Sequence, residues 1–287
     1  MTRDELEEDV SVGDIVKITT KSGEFTGFVE EFGEFTVKLT NPENGKPKRI
    51  AYDFIMEYDT DIAGAADKYS KMVAIPGTKF RMGETQVTQR LYKKVMGENP
   101  SSENWFIAAN NPVENVSWYD AVYFCNKLSM MEGLSPAYSV DGETNPEYWG
   151  YTPHQGESIE SEVECDFDAN GYRLPMNDEW EEAAKGGEDY TYSGSGDLDE
   201  VGWYDDNSDN VTHPVAQKME NGYGLYDMSG NVWEWGWESN PDYPAARFFR
   251  GGGYYGSADC CEVSDRSRNN SYDQRSSIGF RLLRPKD

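Results

Sequence analysis

Asn-Gly-Tyr-Gly-Leu-Tyr-Asp-Met-Ser-Gly-Asn-Val-Trp-Glu-Trp occupies residues 221–235 of this 287-residue chain. Glycines, aromatics and carboxylates in that order predict tight backbone turns locked by ring packing, not a regular helix or strand. Arg-Gly-Gly-Gly follows at 250–253 and Ile-Gly-Phe-Arg at 278–281. Between them, residues 254–277 change character: Tyr, Gly, Ser, Asp, Cys, Arg and Asn dominate, and aliphatic side chains are scarce. A rigid frame enclosing a polar insert rich in Tyr and Ser has the composition of a recognition surface.

The whole chain fits that picture. Hydrophobic residues make up only 37%, yet aromatics reach 14%, with 8 Trp and 19 Tyr, so the core is expected to be built from rings. A formal net charge of −27 excludes phosphate-directed nucleic-acid binding, which needs concentrated Lys and Arg. It also disfavours anionic membrane surfaces. No run reaches the length of a transmembrane segment, and residues 1–10 lack the apolar stretch of an export signal. Cys125, Cys165, Cys260 and Cys261 are too few for a disulfide scaffold, and adjacent Cys260 and Cys261 point to opposite sides of an extended chain. His154 and His213 lack zinc spacing.

Residues 1–60 read as a small β-barrel-like module, similar in look to SH3-like or Sm-like barrels, with polar–apolar alternation from Asp14 and a hairpin turn at Lys21-Ser-Gly-Glu. No activity is assigned to it, and residues 61–71 read as a linker. The second domain, 72–287, opens on a strand, turn and strand. Helices are expected over 88–96, over 118–131 behind the cap Ser117, and from Asn177 or Asp178 to Lys185, stopped by Gly186-Gly187. Cys125, on the apolar face of the second helix, reads as a small buried hydrophobe. Residues 132–170 read as an irregular excursion, and everything after the third helix as loops with short strands.

The order of motifs carries a resemblance. Met72-Val-Ala-Ile-Pro-Gly, Val87-Thr-Gln, Met96-Gly-Glu-Asn-Pro-Ser, Pro112-Val-Glu-Asn-Val-Ser-Trp-Tyr-Asp-Ala and Tyr172-Arg-Leu-Pro-Met-Asn-Asp-Glu-Trp-Glu precede the quoted stretch, Arg250-Gly-Gly and Gly279-Phe-Arg. Across residues 72–284 this series resembles the formylglycine-generating enzymes, or sulfatase-modifying factors. The resemblance implies an α+β, loop-rich, C-type-lectin-like fold.

The family's oxidases convert a sulfatase cysteine to formylglycine using two cysteines that bind copper as thiolates. The resemblance puts Gly256 in the first of those places and Cys261 in the second, so no copper is expected and the oxidase reading is the alternative, not the lead. Family disulfides would pair Cys125 with position 282 and Cys261 with position 184; Leu282 and Ala184 stand there. The resemblance also implies a calcium site made of the backbone carbonyls of Asp227, Gly230 and Val232 and the carboxylate of Glu234. A second reading of the same turn leaves Glu234 accepting from backbone N–H groups with no ion bound.

The tail further resembles the variable proteins of diversity-generating retroelements, in which randomised Asn-type codons alter one face of a lectin-like fold. Randomising both adenines of such a codon never yields Lys, Met, Trp, Glu or Gln. Residues 253–277 contain no Lys, Met or Trp, and only Glu262 and Gln274 depart from the rule. The implied binding residues are Tyr254, Tyr255, Gly256, Ser257, Asp259, Cys260, Asp265, Ser267, Arg268, Asn269, Asn270, Tyr272, Asp273, Ser276 and Ser277. Tyrosines would anchor, short polar side chains adapt, and Arg268 add a bidentate contact. For Asn269, Asn270 and Ser271 turn capping is the competing role, while Arg266 and Arg281 are expected to brace the frame. The leading expectation is a non-enzymatic binder of a protein or glycan ligand, exported and displayed at a bacterial surface, with the export signal absent from this chain. An inert structural domain is the third reading.

Overall fold

The computed structural model describes residues 15–20, 22–32, 36–40, 47–51, 55–59, 70–101 and 109–286. The chain divides into two compact units, Met1–Lys68 and Tyr69–Asp287. Residues 61–69 of the expected linker, and residues 1–14 of the expected N-terminal module, lie outside the described residues.

The first unit is an antiparallel sheet of β1 (Ile15–Thr20), β2 (Gly23–Phe32), β3 (Thr36–Thr40), β4 (Pro47–Ala51) and β5 (Ile55–Asp59), in the order β4-β3-β2-β1-β5. Val37 and Leu39 alternate onto one face of β3, and Val37 lies directly across from Ile50 on β4. All three are buried, as is Ile18 on β1. Period-2 burial of β-branched and aliphatic residues is what holds such a sheet to one register.

The second unit opens on β6 (Met72–Ala74) and β7 (Phe80–Gly83), and the chain end returns as β14 (Leu283–Pro285) to pair with β7. α1 (Gln89–Met96) is capped by Thr88 and closed by Gly97 in the left-handed region. α2 (Trp118–Met131) begins at Ser117, whose hydroxyl and backbone exchange hydrogen bonds with Asp120 in a capping box. Ten of its fourteen residues are buried, so α2 is the central helix and not a surface one. α3 (Asn177–Lys185) starts one position earlier than a side-chain cap at Asn177 would place it. Met176 is the cap residue, and its N–H donates to Glu179. Within 132–170 the structure adds a short pair, β8 (Tyr138–Val140) and β9 (Val163–Cys165), to the expected irregular path.

The four-stranded sheet of the second unit runs β12 (Arg266–Asn270), β11 (Tyr243–Arg250), β10 (Trp233–Asn240), β13 (Ile278–Gly279). Turns dominate the quoted stretch only as far as Val232; from Trp233 it becomes an eight-residue strand. The expectation of short strands alone is corrected here, because pairing with the equally long β11 supplies ladder bonds that no local pattern announces.

Rings fill the core as the composition implied. Tyr92 stacks on Phe124 at 5.2 Å, and Phe124 meets Phe280 edge-on at 5.2 Å. Trp118 and Trp235, both fully buried, exchange anchors: the Trp118 indole donates to Gly236 O and the Trp235 indole to Val116 O, each at 3.0 Å. Satisfied indoles tie α2 to β10 while burying two of the largest side chains. The short helix α4 (Leu198–Val201) packs Leu198 and Val201 with Cys261.

Candidate functional site

The quoted stretch acts as a lock. Asn221 donates its side-chain amide to Ala183 O and Ser193 Oγ, while its Oδ1 accepts from the N–H groups of Tyr223 and Leu225. Asn231 grips His213 at both N–H and C=O, and its own carbonyl accepts from Tyr254 N. Gly230 has φ +96°, and a Cβ there would lie 2.4 Å from Trp203 O, so only glycine fits.

At the heart of this frame is a fully buried ion pair. Arg281 donates to both oxygens of Glu234, to Gly83 O and Glu84 O, and to Tyr226 O. The Trp180 indole fills the remaining approach to Glu234 Oε2 at 2.7 Å. Arg281 therefore braces the frame, whereas Arg266 is exposed on the edge strand β12, its guanidinium 5.1 Å from the Phe248 ring.

The insert is bolted to this frame along its backbone. The Tyr254 carbonyl accepts from Ser208 Oγ, the Gly256 carbonyl from Asp205 N, and the Cys261 carbonyl from Ser229 Oγ. The Val263 carbonyl accepts from Arg250, Ser271 O from Trp118 N, Arg275 O from Asn115 N, and Ser277 O from Trp233 N. Gln274 reaches the interior and donates to Asp120 at 3.3 Å. Burial by itself would raise the Asp120 carboxyl, but the hydrogen bond and charge of His154 outweigh it and hold the group below its ordinary value.

Between those bolts the side chains divide. Tyr255, Ser257, Asp259, Ser267, Arg268 and Tyr272 are exposed; Gly256, Cys260, Asp265, Asn269, Asn270, Asp273 and Ser276 are half-buried. Tyr254 and Ser277 are corrected: at 4% and 2% exposure they belong to the frame, not to a surface a ligand can reach. The Tyr254 hydroxyl donates to Ser276, its ring meets that of Tyr255 edge-on at 5.2 Å, and Ser277 donates to the Tyr255 hydroxyl. Asn269 Oδ1 accepts from the N–H of Asn270, and Ser271 is buried with its hydroxyl on Ala245 O, so this stretch also shapes the backbone.

Sequence reasoning missed Tyr243, which is 60% exposed on β11 with the Arg268 guanidinium 5.2 Å from its ring. It also missed the 156–160 loop, where Gly156, Glu157, Ser158 and Glu160 line a shallow groove with Tyr272. Neither lies in the window that composition singled out, because cross-strand register and loop packing bring them there.

For copper chemistry the site offers one buried thiol. Burial pushes the Cys261 thiol up to about 12, with Cys260 adding to the shift, so it is protonated near neutrality and a poor metal ligand. All four cysteines are free. The calcium donor set does not fit a cation as arranged. Both oxygens of Glu234 are taken by Arg281 and Trp180, so it serves neither as a cation ligand nor as an acceptor for backbone N–H groups. The three carbonyls of Asp227, Gly230 and Val232 all accept from the Gln86 amide.

A family model for the sulfatase-modifying factor enzyme 1-like domain matches residues 53–286. The chain belongs to this family. The solved structure of Treponema denticola variable protein 1 is similar to it at 32% identity and a TM-score of 0.66, over 94% of this chain and 98% of the other. A curated relative, chaperone protein LppX of Paenibacillus barcinonensis, is 38% identical over 72% of this chain and 80% of its own length. Inactive Cα-formylglycine-generating enzyme 2 of Mus musculus is 26% identical over 75% of this chain and 87% of its own. The α+β, loop-rich, C-type-lectin-like fold follows from these likenesses. So does a place among family members that include variable and inactive proteins, which favours ligand binding over catalysis. Among the described residues, no helix is long and apolar enough to cross a membrane.

Proposed function

We propose that this chain is a non-enzymatic receptor whose 253–277 surface is varied by a retroelement to bind different protein or glycan ligands. The observation that carries the reading is the separation of roles within one segment. Its backbone is held by acceptors and donors of the frame at Tyr254, Gly256, Cys261, Val263, Ser271, Arg275 and Ser277. Between those points Tyr255, Ser257, Asp259, Ser267, Arg268 and Tyr272 turn their side chains outward. Exchange of Tyr255, Ser257, Asp259, Ser267, Arg268 or Tyr272 costs the fold little, so affinity can change without refolding. Gln274, which an Asn-type codon cannot produce, is the side chain that grips a buried carboxylate, as a position kept out of diversification should.

Gly256 stands where the oxidases need a thiolate and the Cys261 thiol is held protonated, so formylglycine formation is not part of this reading. Display at a bacterial surface accompanies the proposal, since a varied binder must meet its ligand outside.

A display library tests it directly. Tyr255, Ser257, Asp259, Ser267, Arg268 and Tyr272 are randomised together and sorted for folding and for capture of arbitrary protein targets. Most members should fold, and binders should emerge whose specificity tracks those positions. General loss of folding would sink the proposal. So would conversion of a sulfatase cysteine peptide to the aldehyde by the wild-type chain with copper and oxygen.

A further inference from the structure

Gln86 sits between β7 and α1 and is 1% exposed. Its Nε2 lies 3.2 Å from Asp227 O, 3.3 Å from Gly230 O and 2.8 Å from Val232 O. Three carbonyls turned toward one point make the kind of oxygen cluster that hard cations select. Here the point is filled by an amide that supplies two N–H donors and a partial positive charge. The Glu234 carboxylate does not contribute, because it is held by the Arg281 guanidinium and the Trp180 indole. Arg281 therefore supplies the full positive charge that neutralises Glu234, and Gln86 supplies the donors that satisfy the carbonyls. Together they provide what a divalent ion would provide, divided between two side chains.

We propose that the Gln86 carboxamide and the Arg281 guanidinium replace a divalent cation at this turn, so that the frame under the binding face closes without calcium. The alternative is a single rotation away. Turned over, the amide would set Oε1 against three carbonyl oxygens, an arrangement that only an intervening cation makes favourable. In the present orientation Gln86 Oε1 and Asp227 Oδ1 are buried and receive no hydrogen bond from another protein group. The two orientations thus give opposite answers in one experiment.

The full chain, purified without chelator, is analysed for bound metal, then melted in chelator and in millimolar calcium. Terbium luminescence excited through tryptophan is followed in parallel. Gln86→Ala is carried through the same steps. Wild type should contain far less than one calcium per chain and give no saturable terbium signal. Gln86→Ala should melt several degrees lower than wild type in chelator, because the carbonyls lose their donor. One calcium per chain, or a saturable terbium signal that Gln86→Ala abolishes, overturns the proposal by making Gln86 a cation ligand. An unchanged melting temperature for Gln86→Ala overturns it as well, since the amide would then close nothing. If the variant does not fold, metal content and terbium binding of the wild type still decide between the two orientations.

Discussion

Residues 221–235 and residues 254–277 are both turn-rich and both carry tyrosines among short polar side chains, yet the fold uses them in opposite ways. In the first, polar side chains are turned inward: Asn221, Asp227, Ser229, Asn231 and Glu234 are all buried, and each carries a side-chain bond to backbone outside its own turn or to Arg281 and Trp180. In the second, the backbone is turned inward and most polar side chains are left outside. Rigidity in the first comes from what its side chains hold. Rigidity in the second comes from what the frame holds of its main chain. A surface built the second way can change its residues while keeping its shape.

The largest expected effect strikes the frame. Arg281→Ala leaves Glu234 buried and unpaired, and should cost about 3–5 kcal/mol in a urea titration. A loss under about 1 kcal/mol would mean that the ion pair does not organise the frame. Tyr254→Ala comes next. Although it lies in the insert, its ring is buried, and truncation should cost about 3 kcal/mol. A near-neutral result would return Tyr254 to the outward-facing set and blur the division.

The third prediction concerns pH. Burial raises the Asp227 carboxyl to about 6, only partly offset by the Ala216 N–H it accepts and by Arg281. Its folded value thus stands above the unfolded value of about 4. The stability it contributes is full below about pH 4 and is lost as pH rises through about 6, an effect of roughly 3 kcal/mol. Asp227→Asn can keep the Ala216 bond and should flatten the denaturant midpoint between those limits; an unchanged slope would place the titration elsewhere.

Gln274→Ala removes one donor from buried Asp120 and should cost about 1 kcal/mol, with Gln274→Glu worse because two carboxylates would meet. If Gln274→Ala is silent, the 271–277 loop does not depend on that bolt. Smallest of all, Tyr272→Ala and Arg268→Ala should each stay within about 0.5 kcal/mol of wild type by thermal melting. A loss of several kcal/mol at either would break the comparison, since an outward side chain would then be part of the frame.

Local signals were legible where local bonds decide. Ser117 with Asp120 three residues on is a capping box in sequence and in structure, and Gly186 ends α3 where the glycine pair predicted a stop. The inward stripe of α2, with Ala121, Val122, Cys125 and Leu128, is likewise a matter of helical period. The motif series gave the family, and the missing Lys, Met and Trp marked the insert.

What remained hidden was settled at long range. Tyr254 and Tyr255 look alike in sequence, and only packing against the 203–208 loop and Ser276 buries one and exposes the other. Glu234 reads as a metal ligand or a turn cap until Arg281, 47 residues away, is brought against it. Gln86 carries no local signature at all, because its three acceptors lie 141 to 146 residues further along. Sequence alone therefore determined the family, the three longer helices and the polar segment that stands apart in composition, since motifs, caps and periods are written in neighbouring residues. Tertiary structure decided which side chains face out and what occupies the carbonyl ring, since burial and charge pairing depend on groups the chain brings together only by folding.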